Sequence, residues 1–125
     1  MSGEAGQRLK WPLRITAERR GGALVLRAAG RLGHASAGIL GAAIDDAIGR
    51  GNHRIVVDLA QVDYVSSAGL LEIQSAAAKL ETAQGALVLC AVSETVRIAL
   101  DLAGLHPHCP IEPSCEDAIA LVVSR

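Results

Sequence analysis

Aromatic residues, an excess of positive charge and long apolar runs are all scarce in this chain of 125 residues. It contains one Trp, one Tyr and no Phe, and its formal net charge is −1. Proteins that bind single-stranded nucleic acid use stacking aromatics, and all nucleic-acid binding needs basic surface, so nucleic acid is not an expected partner. No apolar run approaches the roughly 18 residues that a membrane-spanning helix requires, which predicts no direct membrane insertion.

Cysteines are few and odd in number, and the N-terminal residues MSGEAGQRLK lack the apolar segment of a signal peptide. We therefore predict a cytoplasmic protein with reduced thiols at Cys90, Cys109 and Cys115. His106, His108 and Cys109 lie close together, with Cys115 nearby, but prolines interrupt this cluster and its spacing is not that of a structural zinc site. The cluster is predicted to be a loop, and neither a metal nor another cofactor is expected.

Apolar residues make up half of the chain, which suffices for one core in a domain of this size. Residues 1–10 are polar and are predicted to form a flexible tail, whereas residues 11–125 are predicted to form the folded domain. Alternation of apolar and polar residues from Leu13 to Glu18 predicts a half-buried strand, and a second strand follows at 23–28. Gly21-Gly22 between them predicts a hairpin turn, because glycine readily adopts positive φ.

Helical and strand patterns alternate beyond this hairpin. Apolar residues spaced three and four apart predict helices that begin near Ser36, Ser67, Ser93 and Ser114, and Ser36, Ser93 and Ser114 are predicted to be N-caps. The apolar runs 55–59 and 86–91 predict buried parallel strands, and 108–112 predicts a short edge strand between prolines. This order predicts a single α/β domain with a mixed, mostly parallel β-sheet, an N-terminal antiparallel hairpin and about four α-helices.

Two adjacent serines stand at the start of one predicted helix, in the segment VDYVSSAGLLEI that runs from Val62 to Ile73. A serine hydroxyl at such a place can cap the helix by accepting a backbone N–H. It can also carry a phosphate, because a helix N-terminus accommodates negative charge. The chain has no phosphate-binding loop, dinucleotide fingerprint or nucleophile elbow, so an enzyme is not predicted.

The longer segment IVVDLAQVDYVSSAGLLEI, residues 55–73, resembles the signature of STAS domains, the anti-anti-sigma factor family. The matching residues are Asp58, Leu59, Tyr64, Ser67, Gly69 and Leu70. The flanking segment LRAAGRLGHASAGIL resembles the second strand, Gly-x-Leu turn and first helix of the family. GALVLCAVSETVRIALDLAGL resembles its later strand, connecting loop and third helix, so the likeness covers most of the chain.

This resemblance implies an anti-sigma factor antagonist that acts by partner switching. The unmodified protein would bind an anti-sigma factor that is also a GHKL-type serine kinase. Phosphorylation of Ser67, or less favourably Ser66, would separate the complex, and a serine phosphatase would reset it. The residues expected at the docking surface are Gly33, His34, Tyr64, Ser66, Ser67, Ala68, Gly69 and Leu71.

Three positions depart from the pattern of this family. Ser66 and Gly33 stand where Asp is common, and Ala68 stands where serine is common, so the local surface is less acidic. An alternative is therefore a STAS subunit that is not phosphorylated, for example in a lipid-transport ATPase or a stress-signalling complex. A small nucleotide-binding protein is a third reading. The sigma factor, the output pathway and the oligomeric state stay open.

Overall fold

The computed structural model describes residues 13–105 and 109–125, in which strands and helices alternate after an initial hairpin. The strands are β1 (Leu13–Arg20), β2 (Ala23–Leu32), β3 (Arg54–Val65), β4 (Ala86–Cys90) and β5 (Ile111–Glu112). The helices are α1 (Ala37–Gly49), α2 (Ser67–Thr82), α3 (Glu94–Leu102) and α4 (Cys115–Val123). None of the helices in these two ranges is both long and apolar enough to cross a membrane.

The five strands form one mixed sheet in the order β1-β2-β3-β4-β5. β1 and β2 pair antiparallel, and every later pair is parallel. Gly21 and Gly22 make the hairpin turn with φ of 57° and 89°, values at which a side chain would be strained. These observations confirm the predicted fold class, including the N-terminal hairpin and the four helices.

Each face of the sheet has its own apolar layer, because successive side chains of a strand point to opposite faces. Helices α1, α2 and α3 cover one face, with Leu40, Leu80 and Leu100 among the buried contacts. Helix α4 covers the other face, where Ala118 and Val122 pack against a smaller cluster from β2, β3 and β4.

Strand β3 is longer than the sequence predicts. The apolar run predicts a strand over 55–59, but β3 continues to Val65, so the predicted end of this strand was wrong. The extension pairs with β2 through Arg31–Tyr64 and Leu32–Val65, after two register shifts that surround Gly30, whose φ is 124°. Because β4 pairs with β3 only as far as Asp58, the ends of β2 and β3 project beyond β4.

The predicted side-chain cap is present at three helices and absent at one. Ser93 and Ser114 accept the N–H groups of Val96 and Asp117 at 3.2 and 3.1 Å; the cap of α2 is described below. The hydroxyl of Ser36 makes no cap.

Ser36 is the N-cap residue of α1, but its side chain makes no capping hydrogen bond because other partners take its hydroxyl. The buried Oγ accepts the N–H of Gly33 at 2.9 Å and donates to the carbonyl of Arg31 at 2.6 Å, which folds the loop after β2. The predicted tail, residues 1–10, and the predicted start of the edge strand at His108 lie outside the described residues.

Candidate functional site

Helix α2 begins directly against the end of β2. The N–H of Ser66 donates to the carbonyl of Leu32 at 2.9 Å. Gly69 is buried at the same contact, where a Cβ would lie 2.5 Å from the Leu32 carbonyl oxygen. The absence of a side chain at Gly69 therefore lets the first turn of α2 pack against the backbone that precedes the Gly33 loop.

The two adjacent serines have different roles at this helix start. Ser66 is the N-cap residue, with extended φ and ψ of −93° and 174°, and its Oγ accepts the N–H of Gly69 at 3.3 Å. Ser67 is the first helical residue and is exposed, and its hydroxyl makes no hydrogen bond within residues 13–105 and 109–125. The cap thus depends on Ser66, which leaves the Ser67 oxygen accessible.

The first turn of α2 has no acidic residue. By contrast, α3 has Glu94 in its first turn, and α4 has Glu116 and Asp117. The unpaired N–H groups of a first turn carry a partial positive charge, which a carboxylate or a phosphate stabilises. The first turn of α2 has no carboxylate, so no acidic side chain of that turn would repel an anion at the helix start.

The projecting ends of β2 and β3 form the surface beside these serines. Tyr64 is 42% exposed, and the guanidinium of Arg31 lies 4.6 Å from the centre of its ring. A Cβ at Gly33 would lie 3.6 Å from Tyr64 Cε2, so the loop after β2 contacts this ring, and His34 in that loop is exposed. The structure therefore brings the Gly33–His34 loop next to the β3–α2 junction, as the sequence predicts.

The remaining predicted contact residues lie on α2 itself. Leu71 is 65% exposed, and it lies four residues after Ser67, which places both on one face of the helix. Ala68 is half-buried, whereas Gly69 is buried. Gly69 therefore acts in the packing of the helix start and offers no side chain to a partner.

The loop cluster that suggested a metal is divided by the fold. Cys109 belongs to the core under α1–α3, where burial raises the pKa of its thiol to about 12. Cys115 packs against the opposite face of the sheet, and His106 and His108 lie outside the described residues. Sequence reasoning missed a different group: donor atoms of Asp58, Cys90 and Cys115 all lie within 4.8 Å of one another.

Replacing the capping serine tests the separation of roles between the two hydroxyls. We expect Ser66→Ala to lower the free energy of unfolding by about 1 kcal/mol, because the N–H of Gly69 loses its acceptor. Ser67→Ala should change it by less than about 0.5 kcal/mol, as expected for an exposed surface position. Urea unfolding of both variants measures the difference, with Ser93→Ala at the cap of α3 as the matched control. A larger loss for Ser67→Ala than for Ser66→Ala would contradict the assignment.

Comparison with known proteins gives one consistent result. The model of the STAS domain family matches residues 14–118. BtrV of Bordetella bronchiseptica, which is named as an anti-sigma factor antagonist, is 33% identical over 108 residues, covering 86% of this chain and 93% of BtrV.

Two solved structures carry related descriptions. An anti-sigma factor antagonist from Mycobacterium paratuberculosis has a TM-score of 0.79 and 26% identity, over 89% of this chain and 94% of the other. The phosphorylated form of the Bacillus cell fate determinant SpoIIAA has a TM-score of 0.68 and 25% identity, over 87% of this chain and 99% of the other.

Proposed function

The chain belongs to the STAS domain family, and we propose that it is an anti-sigma factor antagonist that acts by partner switching. In this proposal the unmodified protein binds an anti-sigma factor that is also a serine kinase. The kinase phosphorylates Ser67, the complex separates, and a serine phosphatase restores the unmodified form. The protein itself has no catalytic role.

The observation that carries this proposal is the accessible hydroxyl of Ser67 on a helix that Ser66 already caps. Phosphorylation adds about −1.5 to −2 charges. The α2 start has no first-turn carboxylate to repel that charge, and its N–H groups favour it, so the fold is expected to persist after modification. The added charge then changes only what can dock on this surface.

The docking surface in this proposal consists of Gly33, His34, Tyr64, Ser66, Ser67, Ala68 and Leu71. Exposed apolar area at Tyr64 and Leu71 supplies contacts of the kind that dominate protein interfaces. A phosphate between them would have to be desolvated against the partner, and it would repel any carboxylate that the partner presents. Both effects weaken the complex without a change of architecture.

Binding to a partner from the native cell tests the switch. The wild type and Ser67→Asp are immobilised as baits, and retained proteins are quantified by mass spectrometry. We expect a serine-kinase anti-sigma factor on the wild type and at least about tenfold less on Ser67→Asp, a loss of roughly 1.4 kcal/mol. Thr82→Asp, which changes an exposed hydroxyl residue at the opposite end of α2, is the control and should behave as the wild type.

Phosphate mapping completes the test. With the retained kinase and ATP, the wild type and Ser66→Ala should gain one phosphate at Ser67, and Ser67→Ala should gain none. Equal retention of a membrane ATPase by the wild type and Ser67→Asp, with no phosphate at Ser67, would contradict partner switching. That result would instead support an unphosphorylated STAS subunit, a reading consistent with Ser66 and Gly33 in place of the usual carboxylates.

A further inference from the structure

Asp58, Cys90 and Cys115 form a polar group on the face of the sheet that α4 covers, in which Cys90 is buried and the other two are partly buried. Cys90 ends β4 and pairs in register with Asp58 of β3, and Cys115 is the first residue of α4. Their donor atoms lie within 4.8 Å of one another. Helix α2, which begins at Ser66 and Ser67, packs on the opposite face of the sheet. The proposed phosphorylation switch therefore does not use Asp58, Cys90 or Cys115.

The two thiols of this group have different surroundings. Cys90 is fully buried, and desolvation together with the Asp58 carboxylate and the neighbouring sulfur raises the pKa of its thiol to about 12. Cys115 is only partly buried, and Nη1 of Arg20 lies 3.8 Å from its Sγ. A cation and the first turn of a helix are both surroundings that stabilise a negatively charged sulfur.

We propose that Cys90 and Cys115 form a reversible intramolecular disulfide when a hydroperoxide oxidises the protein. The sulfur of Cys115, beside Arg20, attacks the terminal peroxide oxygen, the O–O bond breaks, and the thiol proton goes to the leaving oxygen. Cys115 becomes a sulfenic acid, and the peroxide is reduced to water or an alcohol. The sulfur of Cys90 then attacks the sulfur of Cys115, the S–O bond breaks, and hydroxide leaves as water with the proton of Cys90.

Geometry separates this pair from the third cysteine. A disulfide needs an S–S distance of about 2.05 Å, and the sulfurs of Cys90 and Cys115 already lie within 4.8 Å of each other. The Sγ of Cys109 instead lies 3.8 Å from the carbonyl oxygen of Leu87, within the core on the other face. Cys109 is therefore excluded from the exchange and serves as an internal control.

Peroxide treatment of the reduced full chain tests this site. The protein is exposed to hydrogen peroxide in the presence of a chelator, quenched, and analysed by intact mass, thiol titration and peptide mapping. We expect the mass to fall by two hydrogens, and free thiols to fall by two from the three of the reduced chain. The mapped link should join Cys90 to Cys115, and dithiothreitol should reverse it. Cys109→Ala should give the same link, and Arg20→Gln should form it several-fold more slowly.

Several outcomes would overturn the proposal. One is a sulfinic acid at Cys115 while Cys90 keeps a free thiol, and another is a link between two chains. A third is one equivalent of zinc held by the untreated wild type and lost in Cys115→Ser, which would assign the group to metal binding. Because Cys90→Ala can itself destabilise the core, the decisive measurement is the peptide map of the wild type, which needs no substitution.

Discussion

Gly69→Ala is expected to lower the free energy of unfolding by about 2–3 kcal/mol, the upper part of the range of about 1–3 kcal/mol found for overpacked sites. The new Cβ would lie 2.5 Å from the carbonyl oxygen of Leu32 and 2.9 Å from its Cγ. The carbonyl cannot yield easily, because it belongs to β2 and also accepts the N–H of Ser66. The start of α2 has to move instead, and the capping bond from Gly69 to Ser66 moves with it.

Two other helical glycines provide the matched comparison. A methyl group added at Gly38, in the first turn of α1, would have no neighbouring atom within 4 Å, so Gly38→Ala should raise stability by about 0.5–1 kcal/mol. At Gly41 the contact is the carboxylate end of Glu72, a flexible side chain, so Gly41→Ala should fall between these two variants. Urea unfolding ranks the three, and equal effects of Gly69→Ala and Gly38→Ala would contradict the close approach of α2 to β2.

Leu71→Asp is expected to weaken binding of the kinase partner about 30-fold, or roughly 2 kcal/mol, the size of an interface hot spot. Leu71 is 65% exposed on the same helical face as Ser67, so a partner that reaches the acceptor hydroxyl covers it. An aspartate there replaces apolar contact by a charge that the interface has to desolvate. The fold should tolerate the change within about 0.5 kcal/mol, because the side chain has little burial to lose.

Leu102→Asp is the control for this substitution, since Leu102 is 85% exposed at the end of α3. Calorimetric titration with the kinase that the wild-type bait retains measures the dissociation constant of each variant. Urea unfolding checks that both variants remain folded. If Leu71→Asp binds the kinase with the affinity of the wild type, Leu71 does not belong to the docking surface. The proposal that Ser67 accepts the phosphate would not be affected by that result.

The sequence predicts the layers of this fold well because the signals for them are local. The run from Ile55 to Leu59 is apolar at nearly every position, as a strand covered on both faces requires. The glycines also mark turns that the structure contains, with φ of 57° at Gly21 and 71° at Gly104. In each case the residues of one short segment are enough to predict its strand or turn, without knowing which distant residues pack against it.

The sequence fails where a distant neighbour decides the outcome. Gln61 and Asp63 are exposed and give no strong strand signal, yet β3 continues because Leu32 and the residues before it pair with it after two register shifts. Ser36 has the local signature of a cap, but the carbonyl of Arg31 takes its hydroxyl.

The thiol group shows the same limitation. Cys115 is close to Cys109 in sequence, but the sheet separates them, and the crossover from β4 to α4 brings Cys115 to Cys90 instead. The presence of a serine hydroxyl at the start of α2 can be predicted because two serines are adjacent there. The assignment of the cap to Ser66 and the exposure of Ser67 require coordinates.

The covering of one sheet face by the last helix has a consequence for biosynthesis. Strands β1 to β4 follow one another across the sheet in chain order, so each can add to its neighbour as it leaves the ribosome. Within residues 13–105 and 109–125, the helix that covers the face containing Val25, Val56 and Val88 is α4, which emerges after all five strands. A nascent or prematurely terminated chain that lacks α4 therefore presents an uncovered apolar sheet, which is the kind of surface that chaperones and proteases recognise.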